Sequence, residues 1–268
     1  MQEKNWSLRL KFAILLYLES QLHAGNNLIL VGMDSVEIRD SSHQPFIASA
    51  SGNLLVQGNQ GADICALNHP DSGLFSGGDM VLRSANRVGG DAHYTSGGNF
   101  RIEQLDSRLG DLYSPNDPVI RPNGDVVLAS YQGASLHILA GGKVEIPDSI
   151  QIQGSDTLGN TINPTTTPTE ANVTLSDGSS VTINGNAEPT LDIRAGTTAF
   201  GTPFANIGTP TSADIKVGSI LFADATNRPL AGRVLLTNQY RPNPDLSGNI
   251  QIDGTVTGAI LTRGVAEG

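Results

Sequence analysis

The chain has 268 residues, a net charge of −10 and a pI near 4.8, with apolar residues at 38% and charged residues at 16%. Its scattered basic residues exclude the basic patch of a nucleic-acid binder and disfavour attachment to anionic lipid. A single cysteine, Cys65, excludes an internal disulfide and a cysteine-based zinc site. Glycine is 31 of the 268 residues, well above its average share of roughly 7%, which suits many short strands joined by tight turns.

Residues 1–24 stand apart because they lack glycine and are rich in leucine. The apolar run Phe12–Leu18 lies between Lys11 and Glu19, too short to cross a bilayer, which needs about 20 residues. Leu22-His23-Ala24 is a poor signal-cleavage site. The segment is expected to be an amphipathic helix capping the open end of the following structure, or a non-native start. Sequence of a different kind begins at Gly25-Asn26-Asn27-Leu28.

Five copies of one pattern follow: Gly52-Asn53-Leu54-Leu55-Val56, Gly78-Asp79-Met80-Val81-Leu82, Gly98-Asn99-Phe100-Arg101-Ile102, Gly124-Asp125-Val126-Val127-Leu128 and Gly142-Lys143-Val144-Glu145-Ile146. Each is a glycine, a usually polar residue, then apolar–any–apolar. The glycines are 26, 20, 26 and 18 residues apart. A degenerate repeat of this length, built from strand-like pieces, specifies a solenoid of two or three strands per coil. Because strand side chains alternate, the third and fifth positions should stack inside, coil upon coil. The glycine is expected to fill a positive-φ or crowded turn position. A sandwich of antiparallel hairpins is the competing fold, and the register of the repeats favours the solenoid.

Residues 155–212 change character. A Thr/Pro-rich loop at 160–169 precedes Asn172–Ile183, two alternating stretches around Asp177-Gly178, which reads as a hairpin. From 213 onward the pattern returns at Gly218, Gly232 and Gly248. The steps of 14 and 16 residues are short, leaving further coils and hairpins both open. The organisation is thus 1–24 cap or start, 25–154 coils, 155–212 excursion, and 213–268 coils or hairpins with a tail. The fold class is all-β: a right-handed parallel β-helix with a capping helix and a hairpin-containing excursion.

Chemistry is sparse. Asp63, Asp71, Asp79, Asp91, Asp106, Asp111, Asp117 and Asp125 mostly follow glycine or border proline, where Asp makes turn hydrogen bonds. His23, His43, His69, His93 and His137 show no metal-ligand spacing, and those in strand stretches should face outward. Cys65 reads as a small buried apolar residue. Gly-Gly-Asp at 77–79 and 89–91 lacks the rhythm of a calcium-binding nonapeptide. No catalytic, cofactor or metal residue is assigned. The alternatives to a non-catalytic role are a carbohydrate-active β-helix, needing converging carboxylates, and a glycan-binding module using Tyr94, Tyr113 and Tyr131 as exposed rings.

Gly52–Ile150, with its Gly-Asn-Leu-Leu-Val, Ser-Gly-Gly-Asp-Met-Val-Leu, Ser-Gly-Gly-Asn-Phe-Arg-Ile and Leu-His-Ile-Leu-Ala-Gly-Gly strings, resembles the filamentous-haemagglutinin-like exoproteins of cyanobacteria. The similarity runs more loosely through Glu188–Gly196 to about Gln239. The resemblance implies a right-handed parallel β-helix, two-partner secretion and an adhesive role at the bacterial surface. Complete members open with a secretion domain bearing Asn-Pro-Asn-Gly and Asn-Pro-Asn-Leu. The nearest string here is Arg121-Pro122-Asn123-Gly124, mid-chain, so the resemblance implies an internal or truncated piece of a larger exoprotein. The expected partners are a cell-surface glycan or the surface of a host or neighbouring cell, and the rest of a larger exoprotein, without nucleic acid, membrane insertion or cofactor.

Overall fold

The computed structural model describes residues 7–12, 15–116, 118–156, 170–199 and 209–262. Within them the protein is all-β and has no helix. A 24-stranded parallel sheet system accounts for nearly every strand. Each pass of the chain lays down three short strands, and each strand pairs with its counterpart in the next pass. The result is three parallel ladders, an arrangement compatible with a solenoid.

The first ladder is built on the glycine-anchored pattern. Leu8–Phe12, Leu28–Gly32, Leu54–Gly58, Met80–Ser84, Phe100–Glu103, Val126–Val127 and the start of Val144–Ile152 follow one another. The third pattern position forms one unbroken row from Leu8 through Leu28, Leu54, Met80, Phe100, Val126 and Val144. From Leu28 onward this row is 1% exposed or less, as is the fifth-position row Leu30, Val56, Leu82, Ile102, Leu128 and Ile146. Successive tiers lie about 4.8 Å apart, so each side chain covers the one below. The second ladder runs through Ser35–Arg39, Gly61–Ala66, the start of Val88–Ser96, Leu112–Ser114 and Tyr131–Gly133. The third runs through Ile47–Ala50, Gly73–Ser76, the end of Val88–Ser96, Val119–Pro122 and Leu136–Leu139.

The reason for a polar second position lies between tiers. The side-chain oxygen of each second residue accepts the backbone N–H of the second residue one tier on: Asn27 from Asn53 (2.9 Å), Asn53 from Asp79 (2.9 Å), Asp79 from Asn99 (2.7 Å), Asn99 from Asp125 (2.9 Å) and Asp125 from Lys143 (3.0 Å). This polar ladder supplies an acceptor to a donor that the turn would otherwise leave bare.

It also explains the glycine. None of the anchor glycines has positive φ, so crowding, not backbone conformation, accounts for them. A methyl group at Gly52, Gly78, Gly98, Gly124 or Gly142 would overlap the Oδ1 of the second residue one tier below. Anchor glycine and acceptor therefore belong together. Lys143 has no acceptor, and the residue stacked after Gly142 is Ala213, not glycine. Asp214 restores an acceptor, taking the Asn249 N–H at 2.7 Å, and Gly248 follows it, although a methyl group at Gly248 would meet the Ala213 backbone rather than the Asp214 side chain. At the other end the Ser7 hydroxyl accepts the Asn27 N–H at a longer 3.4 Å, although the anchor position there is Asn26 and not glycine.

The first expectation to fail is the capping helix. Residues 8–24 instead form Leu8–Phe12, Leu15–Leu18 and Leu22–Ala24, which stack as a first tier on Leu28–Gly32, Ser35–Arg39 and Ile47–Ala50. Leu8, Leu10, Leu18 and Leu22 pack against the core. Their period is two, which a strand satisfies and a helix does not. Residues 1–6 and 263–268 lie outside the described residues.

The tail, left open by the sequence, continues the parallel register. Val144 pairs with Ile215 and Ile215 with Ile250; Ile150 pairs with Ile220 and Ile220 with Val256. Between them, Glu170–Thr174 and Ser180–Asn184 form an antiparallel pair closed by Asp177-Gly178, with Gly178 at φ 82°. This hairpin leaves the stack and lies on its outside. Val173, Leu175 and Ile183 form a second small core with Leu235 from the third ladder.

Candidate functional site

The hairpin covers an outward row of the third ladder, in which His137 pairs with Asp192 and Asp192 with Leu235. Arg194, two residues beyond Asp192, projects from the same face. Asp156 arrives from the point where the chain leaves the second ladder. Together they form a network of two carboxylates, an imidazole and a guanidinium, with side chains 0% exposed apart from Arg194 at 2%.

His137 is held at both ring nitrogens, Nε2 lying 3.2 Å from Asp156 Oδ2 and Nδ1 3.4 Å from Asp192 Oδ2. Arg194 grips Asp192 with two bonds, Nε to Oδ1 at 2.9 Å and Nη2 to Oδ2 at 2.7 Å. Its guanidinium sits 4.5 Å from the Tyr240 ring centroid. Gly185 closes the site: a methyl group there would meet His137 Nε2 and overlap Asp156 Oδ2. The Gly185 carbonyl accepts the Asp156 N–H at 2.8 Å and the Ser135 hydroxyl at 3.0 Å.

Burial alone would lower the His137 pKa, but bonding to Asp156 and Asp192 outweighs it and raises it to about 10. Burial would raise Asp192, yet the charges of Arg194 and His137 hold it below the usual carboxylate range. His137 therefore carries its proton at neutral pH. A protonated, enclosed imidazole has no lone pair to offer as a general base. What the arrangement can do is clamp: it ties the excursion's departure, its return and the third ladder to one point.

The sequence-nominated residues that are described scatter along the stack and do not converge. Asp79 and Asp125 are ladder rungs. Asp106 accepts the Arg108 N–H within its own turn, and Asp111 accepts the Ser130 hydroxyl at 2.6 Å. Asp63 pairs with Arg39, and Asp71 approaches His69 at 3.8 Å. Asp117 lies outside the described residues. Asp91 is 6% exposed and accepts from the Ser114 hydroxyl and from Asn116 through both N–H (3.0 Å) and Nδ2 (2.9 Å). Burial raises its pKa against those bonds. Asp40, not singled out by the sequence, organises the 68–72 turn by accepting from Asn68 Nδ2, the His69 N–H and the Ser72 hydroxyl. A recess lies beside it, lined by Glu19, Asp40, Ser41 and Gln44. Among the described residues no group of three or more His, Cys, Asp or Glu could hold a metal ion.

Three expectations need correction. Tyr94 and Tyr131 are 1% exposed and belong to the core, because their strands turn those positions inward. Only Tyr113 faces outward, with Arg87 stacked 4.0 Å from its centroid. Cys65 is not a buried core residue; it alternates with inward Ile64 and Ala66 and is partly exposed in the row Arg39–Cys65–Asp91. His137 faces outward from its strand, as expected of a polar residue, but the hairpin buries it. No family model, no curated protein and no solved structure matches the chain.

Proposed function

We propose that the chain is a right-handed parallel β-helix serving as a non-catalytic structural or adhesive segment of an exported bacterial surface protein. One observation carries this reading: the ladder acids and the buried charges under the hairpin are engaged in holding tiers and hairpin together. Asp79 and Asp125 bond tier to tier, and His137, Asp156, Asp192 and Arg194 pin the excursion. The acidic, cysteine-poor composition and the resemblance to filamentous-haemagglutinin-like exoproteins support the same reading. A cell-surface glycan is the proposed partner and two-partner secretion the proposed route.

The Glu19–Asp40 recess is the feature favouring the alternative, a carbohydrate-active enzyme or glycan-binding module. A panel of surface and acidic polysaccharides separates the readings. Binding without turnover, together with antibody labelling of intact cells, supports the adhesive segment. Release of reducing or unsaturated ends, abolished by Asp40→Asn, would replace it with the enzyme.

A further inference from the structure

The outward face of the second ladder carries a positioned charge that the fold does not use. Along its middle row stand Asp63, Gly89, Tyr113, Gln132 and Gln151, one per tier. Arg87 lies beside this row, exposed, two residues before Gly89 on the same face. Its guanidinium sits 4.0 Å from the Tyr113 ring centroid, and its Nη1 donates to Gln132 Oε1 at 2.7 Å. Gln132 Nε2 in turn donates to Gln151 Oε1 at 3.2 Å. An aromatic face and a relay of amides thus hold the cation in place.

Among the described residues no carboxylate pairs with Arg87. Asp111, beside it in the next tier, accepts the Ser130 hydroxyl at 2.6 Å, and Asp63 is taken by Arg39 at 2.5 Å. The chain has 26 acidic residues for 16 basic ones, and other outward arginines find them: Arg39 pairs with Asp63, and Arg83 and Arg101 with Glu103. Arg87 is held as firmly, yet lacks one.

Two bare positions adjoin it. Gly61 faces Arg87 in the preceding tier, two residues before the Asp63–Gly89 pair, and Gly89 is on its own strand. Neither has positive φ. A methyl group at Gly61 would meet nothing within 4 Å, and one at Gly89 would first touch the exposed end of Asp63 at 3.0 Å. The anchor glycines are required by crowding; these two are not. Glycine inside a strand weakens it and marks a place where a ligand or another backbone comes close. At Gly61 no described backbone does so.

The planar fork of an arginine matches a carboxylate. One guanidinium on a chain of net charge −10 suits a singly charged group rather than a dense polyanion. The amides of Gln132 and Gln151 keep donors and acceptors for hydroxyl groups. We propose that Arg87, beside the bare positions Gly61 and Gly89, binds the carboxylate of an acidic sugar in a glycan chain whose hydroxyls meet Gln132 and Gln151. The proposal rests on the reading of a surface glycan as partner and names its chemistry. Every tier that contributes has a neighbouring tier on both sides.

Isothermal titration calorimetry of the whole chain tests it, with tetramers of galacturonic, glucuronic and mannuronic acid and with sialyllactose as probes. Each acid is compared with its carboxyl-reduced, neutral counterpart. The expected result is binding of at least one acid, weakened about tenfold or more by carboxyl reduction and by Arg87→Gln. Arg87→Lys should fall between, because it keeps the charge and loses the fork. Gly61→Val should also weaken binding about tenfold while its thermal unfolding matches or exceeds that of the wild type. The added side chain meets nothing in the fold and suits a strand. Circular dichroism checks that Arg87→Gln is folded, and Gly61→Val decides the matter if it is not. Equal binding of acids and their neutral counterparts, or equal binding by wild type and Arg87→Gln, would overturn the proposal and leave the glycan reading standing. Absence of binding to these probes and to an array of neutral glycans would overturn both.

Discussion

Two regions of this protein are held together by different physics. From Leu28 to Ile146 the stack is a repeated unit: apolar rows inside, and a chain of Asn and Asp side chains bonding each turn to the next. Every element of that design is local and recurs. The excursion is held by one unrepeated, buried network of four charged residues and a four-residue apolar patch. The first region distributes its stability over many small contacts; the second concentrates it. Loss of one rung should be tolerated, whereas loss of one charge should release the hairpin.

The largest expected effect comes from breaking the concentrated site. Asp192→Ala leaves Arg194 and His137 buried without their shared acceptor, and should cost about 3–5 kcal/mol in urea unfolding. Protease cleavage within 170–184 should rise before the rest of the chain becomes sensitive. The same network gives a pH signature. The His137 pKa is raised from 6.5 to about 10, so its contribution is complete below pH 6.5 and is lost as pH rises through about 10. Asp192 is lowered, so its contribution is present above 3.8 and lost as the solution is acidified. The stability gap between the wild type and His137→Gln should therefore narrow between pH 7 and pH 10. A constant gap would remove His137 from the account.

Smaller effects are expected in the repeated region. Gly78→Ala puts a methyl group onto Asn53 Oδ1 and should cost about 1–3 kcal/mol, as overpacking does. The interruption at Lys143 offers a gain. Lys143→Asn alone would drive its oxygen against the Ala213 methyl group. Combined with Ala213→Gly it should restore a rung and raise stability by a few tenths to about 1 kcal/mol, a hydrogen bond partly offset by glycine's entropy. A gain for Lys143→Asn alone equal to that of the pair would show that glycine and acceptor are not linked.

The sequence made the repeated region readable because period two and the glycine spacing are local signals. Leu54 and Val56, or Met80 and Leu82, could be assigned inward from alternation alone. The purpose of the glycine is half legible: crowding can be expected, but the crowding atom belongs to the second residue of the preceding tier, 25 residues away for Gly78 and Asn53. The first tier is hard to read because leucine-rich sequence without glycine favours helix by composition, although Leu8, Leu10 and Phe12 alternate as a strand does. The charged network was invisible for a different reason. Its members lie 19 and 55 residues from His137 and meet only when the excursion folds back. One signal did exist: Asp192 and Arg194 alternate with Leu191 and Ile193, so a strand covered on its inner face offers two charges to an outer face that a hairpin could cover. The burial of Tyr94 and Tyr131 is not legible locally, because their positions in the inward rows decide it.

The pairing of anchor glycine with the acceptor one tier below is tested most directly by a double-mutant cycle at Gly78 and Asn53. Asn53→Ala removes one rung and should cost about 0.5–1.5 kcal/mol. It also clears the space in front of Gly78, where the next backbone contact for a methyl group is 3.3 Å away. Measured by urea unfolding, the cost of Gly78→Ala should fall below about 1 kcal/mol in the Asn53→Ala background, an interaction of about 1–2 kcal/mol. An unchanged cost of Gly78→Ala in that background would contradict it.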